Sequence, residues 1–167
     1  AFGSCSGPEG TSYVYPLLRS LDPGGLSYDG IAPLAFGSFL QYAEIVTATD
    51  AVAIPEPAMC PGTPEITLPG LRLVFTGSID DVSSQLYYLQ VTSDAYATPA
   101  GARVGMTAGE VQRLHPEAVR GRSGNVSDAL RLGDGDRAEL LFALDATGRV
   151  DGILASLGDT ASGSEQC

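Results

Sequence analysis

His115 is the residue best suited to proton transfer near neutral pH, and it is the one histidine of the 167-residue chain. A Ser-His-Asp triad would need this imidazole, because no other side chain ordinarily titrates in that range. The sequence contains no Gly-x-Ser-x-Gly nucleophile elbow. His115 directly precedes Pro116, which predicts the end of a helix, where the helix dipole favours an imidazolium. We therefore interpret His115 as a capping or surface residue and predict a protein that is not an enzyme.

Paired carboxylates are the other candidates for chemistry, at Asp80-Asp81 and at Asp134-Gly135-Asp136. Two carboxylates can act as acid and base in glycoside hydrolysis. Both pairs lie in predicted turns, where Asp is a typical residue. The second pair and Glu139 could offer oxygens to a calcium ion, but their spacing is not that of an EF-hand loop. We therefore predict turn residues, with no metal and no cofactor, and a secreted hydrolase that uses these carboxylates stays the alternative function.

The cysteines Cys5, Cys60 and Cys167 form no Cys-x-x-Cys pair, and with a single histidine they exclude a zinc site of the Cys/His type. The segment Phe2–Cys5 resembles a bacterial lipobox, in which an apolar residue and two small residues precede a lipidated cysteine. In that interpretation Cys5 is lipidated, and Cys60 and Cys167 are the candidates for a disulfide. The alternative is a bridge from Cys5 to one of the other two cysteines, with one free thiol left over.

The composition restricts the partners and the location of the protein. Nine Lys and Arg stand against 20 Asp and Glu, which gives a net charge of −11. This charge excludes nucleic acid as the main partner and disfavours anionic membrane surfaces, because no basic field would attract their phosphates. Scattered cysteines in a chain of low charge are typical of a secreted, cell-surface or periplasmic protein. The chain has no apolar run of about 18 residues, so a lipid anchor at Cys5 is the one predicted link to a membrane.

The same order of features occurs twice along the chain. Gly37 and Gly105 each end a short extended run, and the segments Ser38–Gln41 and Thr107–Glu110 both fit the capping box that begins a helix. Apolar segments typical of strands follow in each half, at Leu71–Phe75 and Gln85–Leu89 and again at Ala138–Phe142 and Gly152–Ser156. The repetition predicts an N-terminal arm over residues 1–28, one repeat over 29–95, a second over 96–160 and a C-terminal tail over 161–167.

Hydrophobic periodicity predicts which residues of these elements face the core. Helical spacing selects Phe39, Tyr42, Ala43 and Val46 in the first helix and Ala108, Val111 and Leu114 in the second. A period of two selects Leu71, Leu73 and Phe75 in one strand and Leu140, Phe142 and Leu144 in another. The segment Val126–Leu132 is compatible with either a short helix or a strand. The predicted fold is therefore α+β, an antiparallel sheet with short helices packed on one face, built from two tandem helix-plus-hairpin repeats.

The most specific motif is the octapeptide Val104–Val111, Val-Gly-Met-Thr-Ala-Gly-Glu-Val. It resembles the helix start of the SmpA/OmlA outer-membrane lipoproteins and of the β-lactamase-inhibitor-protein-like group. The hairpin Leu140–Ala155 is similar to the strands that follow the helix in those bacterial proteins. The resemblance covers residues 98–157 directly and 30–93 only through the internal repeat.

The resemblance implies that the protein acts by binding and not by catalysis. The tandem inhibitors of this group bind an enzyme through aromatic residues on a sheet. The binding candidates are then Phe75, Tyr87, Tyr88 and Phe142. Consecutive strand residues point to opposite faces, so only one of Tyr87 and Tyr88 could be exposed on a binding face, and the other would pack in the core with Phe75. The sequence thus predicts a secreted or lipid-anchored bacterial protein that binds another protein, and a structural envelope lipoprotein is a further alternative.

Overall fold

The computed structural model describes residues 21–47, 64–77, 83–123, 126–133 and 138–157. The first element is a small antiparallel sheet formed by β1 (Leu26–Ser27), β2 (Gly30–Ile31) and β3 (Leu34–Ala35). Two short helices follow at α1 (Leu40–Val46) and α2 (Ala108–Leu114). No helix in the described part of the chain is long and apolar enough to cross a membrane.

The larger sheet of the described residues is antiparallel and has seven strands. Its strands are β4 (Glu65–Leu68), β5 (Leu71–Phe75), β6 (Leu86–Val91), β7 (Val119–Ser123), β8 (Val126–Gly133), β9 (Ala138–Leu144) and β10 (Val150–Leu157). The spatial order is β4-β5-β6-β10-β9-β8-β7, so that the last strand of the first half pairs with the last strand of the second half. Strands β4 and β7 consequently form the two edges of the sheet.

Most of the buried apolar residues belong to one cluster, which we call the main core. It contains alternate residues of the large sheet together with Ala43 and Val46 of α1 and Ala108 and Val111 of α2. The predicted strand residues Leu71, Leu73, Phe75, Leu140, Phe142 and Leu144 all lie in this core. The alternation of apolar residues therefore identified the core-facing side of β5 and β9 correctly, since successive side chains of a strand point to opposite faces.

The fold agrees with the predicted α+β class at the level of an antiparallel sheet with two short helices. The segment that was open to either assignment, Val126–Leu132, is part of strand β8. Two edge strands were not predicted. Strand β4 begins at Glu65, directly after a proline-rich segment, and β7 has the sequence Val-Arg-Gly-Arg-Ser, which lacks apolar alternation. Each of these strands forms a hairpin with its inner neighbour, β5 or β8, and the periodicity of a single strand does not reveal such cross-strand pairing.

The two helix starts differ in their capping. The predicted capping box of α2 is present, because the Thr107 hydroxyl accepts from the Glu110 N–H and the Glu110 carboxylate accepts from the Thr107 N–H. The corresponding prediction for Ser38 was wrong, since the N-cap of α1 is Phe39, which makes no side-chain cap. The Ser38 hydroxyl instead accepts from the Ala35 N–H at 3.2 Å. Ser38 therefore stabilises the turn before the helix and not the helix itself.

Two of the predicted core positions on the helices were also wrong. Phe39 is 48% exposed because it precedes the first helical turn in an extended conformation, with φ −73° and ψ 151°. Leu40, one residue later, packs partly against the main core in its place. Leu114 is 37% exposed at the last position of α2. Both errors arise at helix ends, where the helical spacing of side chains no longer applies.

Matching backbone hydrogen bonds join each helix start to the beginning of a strand. The N–H of Gly37 donates to the carbonyl of Leu86, whose own N–H donates to Ser38, both at 2.8 Å. In the second half the N–H of Gly105 donates to Val150, whose N–H donates to Met106, again at 2.8 Å. The two glycines have nearly equal positive φ values of 97° and 98°. In this hydrogen-bond pattern Phe39, and not Ser38, lies two residues after the glycine, as Thr107 does.

Candidate functional site

His115 lies in a short series of polar side chains at the end of α2. Its Nε2 is 2.8 Å from the hydroxyl of Thr98, and its Nδ1 is 4.0 Å from a carboxylate oxygen of Glu117. Hydroxyl, imidazole and carboxylate thus follow one another in the order of a hydrolytic triad. Thr98, however, is 3% exposed, and its hydroxyl also accepts from the Ala102 N–H at 3.1 Å. The series therefore anchors the helix end to the neighbouring loop and presents no accessible nucleophile.

His115 is the C-cap residue of α2, as the sequence predicted, and its ring centroid lies 6.1 Å from that of Phe142. Several candidate residues lie outside the described residues: Asp80, Asp81, Asp134, Asp136, Cys5, Cys60 and Cys167. Within the described ranges, no group of three or more His, Cys, Asp or Glu side chains could hold a metal ion.

The aromatic binding candidates occupy two different environments. Phe75 and Phe142 are completely buried in the main core, so in this structure they provide packing and no contact surface. Tyr88 is 1% exposed and belongs to a separate, smaller cluster, against which the half-buried Tyr87 packs. Of the four predicted contact residues, only Tyr87 keeps substantial exposed surface.

A register irregularity corrects the expectation that Tyr87 and Tyr88 point to opposite faces. Val74 of β5 pairs with Tyr88 of β6, and the next residue Phe75 pairs with Leu86, which leaves Tyr87 as an extra residue. Such a bulge interrupts the alternation of side chains, so both tyrosines pack at the same small cluster. Burial, followed by the negative charge of Glu65, raises the pKa of the Tyr87 hydroxyl.

The small cluster defines a second face of the large sheet, and none of its residues comes from a helix. Its buried members are Val74, Tyr88, Ala129, Leu141 and Leu154. One continuous row of paired residues crosses all seven strands of this face, and it consists of Thr67, Arg72, Gln90, Leu154, Leu141, Arg131 and Val119. We call it the transverse row. Its centre is apolar and buried, and its two ends are polar or exposed.

Ion pairs border the apolar centre on both sides. Arg72 lies 3.2 Å from a carboxylate oxygen of Glu65, whose side chain is 4% exposed. Arg131 contacts both carboxylate oxygens of Glu139, at 2.9 and 3.3 Å, and this hydrogen bonding raises the pKa of the guanidinium. The two-point contact holds the Arg131 guanidinium in a defined orientation. An apolar centre with a polar rim is the usual composition of a protein-protein interface.

A surface concavity adjoins each end of the transverse row. The larger, with a volume of about 530 Å³, is lined by Thr67–Arg72 together with Gln90 and Thr92. The smaller, of about 220 Å³, is lined by Glu117, Val119, Arg131–Gly133 and Glu139. Sequence reasoning did not select these polar residues. Arg72 was nevertheless detectable, since it alternates with the core residues Leu71 and Leu73 and must point to the other face.

The turn between β9 and β10 holds the start of α2 in place. Oδ1 of Asp145 accepts from the Thr147 N–H at 2.8 Å, from the Thr147 hydroxyl at 2.6 Å and from the Arg149 N–H at 3.1 Å. The Arg149 guanidinium donates in turn to the carbonyl of Gly105 at 2.9 Å. Hydrogen bonds from Thr147 above all lower the pKa of Asp145, and the backbone hydrogen bond from Thr107 lowers the pKa of Glu110. These carboxylates therefore have structural roles as anions.

The lowered pKa values of Asp145 and Glu110 predict a loss of stability in acid. A carboxylate whose folded pKa lies below its unfolded value stabilises the fold above the unfolded pKa, and this contribution disappears as the pH falls through the folded pKa. We expect the free energy of unfolding to decrease from about pH 5 downwards, and Asp145→Asn to reduce that dependence. Urea unfolding followed by circular dichroism at several pH values measures it. An identical pH dependence in wild type and Asp145→Asn would contradict the assigned role.

Comparisons with known proteins identify no relatives of this chain. It matches no protein-family model, and no curated protein and no solved structure shows significant similarity to it.

Proposed function

We propose that this chain is a secreted or lipid-anchored bacterial protein that binds another protein through the second face of its large sheet. The transverse row is the observation that carries the proposal. It spans every strand of the sheet, and it combines hydrogen-bonding side chains such as Gln90, paired guanidinium groups and the 66% exposed Val119. Polar groups held in fixed positions around an apolar centre favour specific recognition of a partner.

A binding function also fits the chemistry of the His115 series better than catalysis does. The only imidazole of the chain contacts a hydroxyl that is almost completely shielded from solvent, since Thr98 is 3% exposed. A nucleophile must reach its substrate within about 3 Å, and a buried threonine that also accepts a backbone hydrogen bond does not meet this condition.

We further propose that residues 29–95 and 96–160 are two related units, with α1 and α2 packed on the same face of the sheet. The support is the equal hydrogen bonding at Gly37 and Gly105, where each unit joins its helix start to its last strand. In addition, apolar residues of both helices belong to the main core, and none belongs to the small cluster. A tandem arrangement of this kind would place both helices on one face and leave the second face without a helix.

The proposal is tested by comparing two double variants that add the same charge. Thr67→Arg with Gln90→Arg changes the second face, whereas Gln41→Arg with Gln112→Arg changes exposed helix positions. Cross-linked capture from the secreted and envelope fractions of the native bacterium should recover a partner with wild type and with the helix variant. We expect the face variant to recover at least about tenfold less, since misplaced charge at an interface costs several kcal/mol.

Circular dichroism and unfolding midpoints first establish that both double variants are folded. The affinity of the purified partner for the three proteins is then measured by calorimetry. Equal affinity of the face variant and the helix variant would contradict a binding role for the second face.

A further inference from the structure

The exposed edge of the large sheet at β7 is a second feature that points to a partner. Among the described strands, β7 is the last of the sheet, and β8 is the one strand that pairs with it. Its residues Val119, Arg120, Gly121 and Arg122 are all exposed, and Val119 is 66% exposed, the highest value among the large apolar residues described. An edge strand directs backbone N–H and C=O groups outwards, and these can pair with an added strand.

Strand β7 is positively charged, whereas the chain as a whole is negatively charged. Arg120 and Arg122 alternate along the strand and so share one of its faces, and β7 carries no acidic residue in a chain of net charge −11. Two hydrogen bonds to Asp128, at 3.1 and 2.8 Å, orient the Arg120 guanidinium. An added strand that places acidic residues beside these arginines would be favoured, because cross-strand pairs of opposite charge stabilise a sheet.

A second copy of the chain is a poor occupant of this edge. Antiparallel pairing of two β7 strands about Gly121 would place Arg120 of one copy opposite Arg122 of the other. Parallel pairing would also bring guanidinium groups together. Like charges directly opposite each other destabilise a strand pair, so the arginines act against self-association and select a partner of opposite charge.

The other side of β7 offers an apolar contact. Val119 lies on the second face next to Arg131, and with Glu117 and Glu139 it lines the concavity of about 220 Å³. An added strand alternates its side chains in the same way as β7. Its acidic residues would face Arg120 and Arg122, and its apolar residues would face Val119 and the concavity.

We propose that β7 accepts an extended segment of the partner protein as an eighth strand, with acidic and apolar residues in alternation. The inference rests on the proposed protein-binding function and specifies the chemistry of the partner and its mode of attachment. Backbone pairing supplies the attraction, and Arg120, Arg122 and Val119 supply the selection of sequence.

Peptides test this inference on the full-length chain. The probes are an acidic peptide with the core Val-Glu-Val-Glu-Val and a basic peptide with Lys in place of Glu. Titration followed by NMR should show at least about tenfold tighter binding of the acidic peptide. Amide hydrogen exchange in β7 should become slower when the acidic peptide is bound, because the outward N–H groups gain acceptors.

Charge reversal gives the decisive comparison. Arg122→Glu should reverse the preference so that the basic peptide binds more tightly, whereas Arg113→Glu, an exposed position on α2, should leave it unchanged. Equal binding of both peptides, or unchanged β7 exchange, would overturn the inference. The inference would also be overturned if the wild-type chain dimerised and Val119→Asp abolished the dimer. The strand added to β7 would then come from a second copy of the chain.

The partner itself separates the two proposals. Loss of partner affinity in the face variant, with full affinity in Arg122→Glu, would refute strand addition and leave the second face as the binding site. Loss in Arg122→Glu, with full affinity in the face variant, would support strand addition and refute the second face.

Discussion

Phe142→Ala is expected to lower the free energy of unfolding by about 3–5 kcal/mol, the usual cost of removing a buried aromatic ring. Phe142 is fully buried in β9, where it pairs with Leu130 of β8 and Ile153 of β10. Its ring also meets His115, which ends α2. Truncation leaves a cavity that the three strands cannot close, because their register is fixed by the ladder on both sides. Urea unfolding followed by far-ultraviolet circular dichroism measures the loss.

Phe39→Ala is the matched control for this prediction, since it removes the same ring from a residue that is 48% exposed. We expect a loss of no more than about 1 kcal/mol, as is common for partly exposed positions. Similar losses for Phe39→Ala and Phe142→Ala would contradict the position of Phe142 at the centre of the core. The same outcome would remove the reason for excluding Phe142 from the binding surface.

Gly30→Ala is expected to lower the free energy of unfolding by about 2–4 kcal/mol, the sum of backbone strain and overpacking. Gly30 of β2 has φ +137°, and a Cβ atom there would overlap the backbone oxygen of Leu34. The obstacle is backbone and cannot rotate away. Leu26, Ile31 and Leu34 of the small sheet belong to the main core, so displacement of β2 would weaken the whole fold. Thermal and urea unfolding measure the change.

Variants at two further glycines separate the cost of backbone strain from the cost of steric overlap. Gly105→Ala introduces backbone strain without overlap, because φ is +98° and nothing lies within 4 Å of the added Cβ. We expect the free energy of unfolding to fall by about 1–2 kcal/mol. Gly121→Ala on β7 has open space and no positive φ, so it should be neutral or stabilising by up to about 1 kcal/mol. A Gly30→Ala variant as stable as Gly121→Ala would refute the close approach of β2 and β3.

The strands with regular alternation were predictable because burial on one face leaves a local signal. Leu71, Leu73 and Phe75 occupy the main core, and Val74 between them is buried on the second face. The alternation thus identified β5, although the burial of its second side was not visible. The capping box of Thr107 was equally local, since both of its hydrogen bonds join residues three positions apart. Ser38 fits the same pattern but lies one residue too early.

The candidate binding surface was much less predictable, because it consists of residues distant in sequence. Arg72 and Gln90 share a row with Arg131 and Val119 only through the pairing of β6 with β10. The extra residue at Tyr87 reversed the expected direction of a side chain, and its cause lies in the register with β5. The sequence of a strand does not indicate which polar residues of other strands will lie beside its own in the sheet.

The sequence by itself determined the class of secondary structure, the core-facing residues of β5 and β9, the capped start of α2 and the excess of negative charge. These properties depend on side-chain periodicity, on hydrogen bonds between close neighbours and on composition. Only the tertiary structure decided that β6 meets β10, that seven strands form one sheet, that Tyr88 is buried and that β7 is an exposed edge. Each of these depends on strand pairing across the chain, for which backbone hydrogen bonds are alike at every residue and the packing of the whole sheet selects the register.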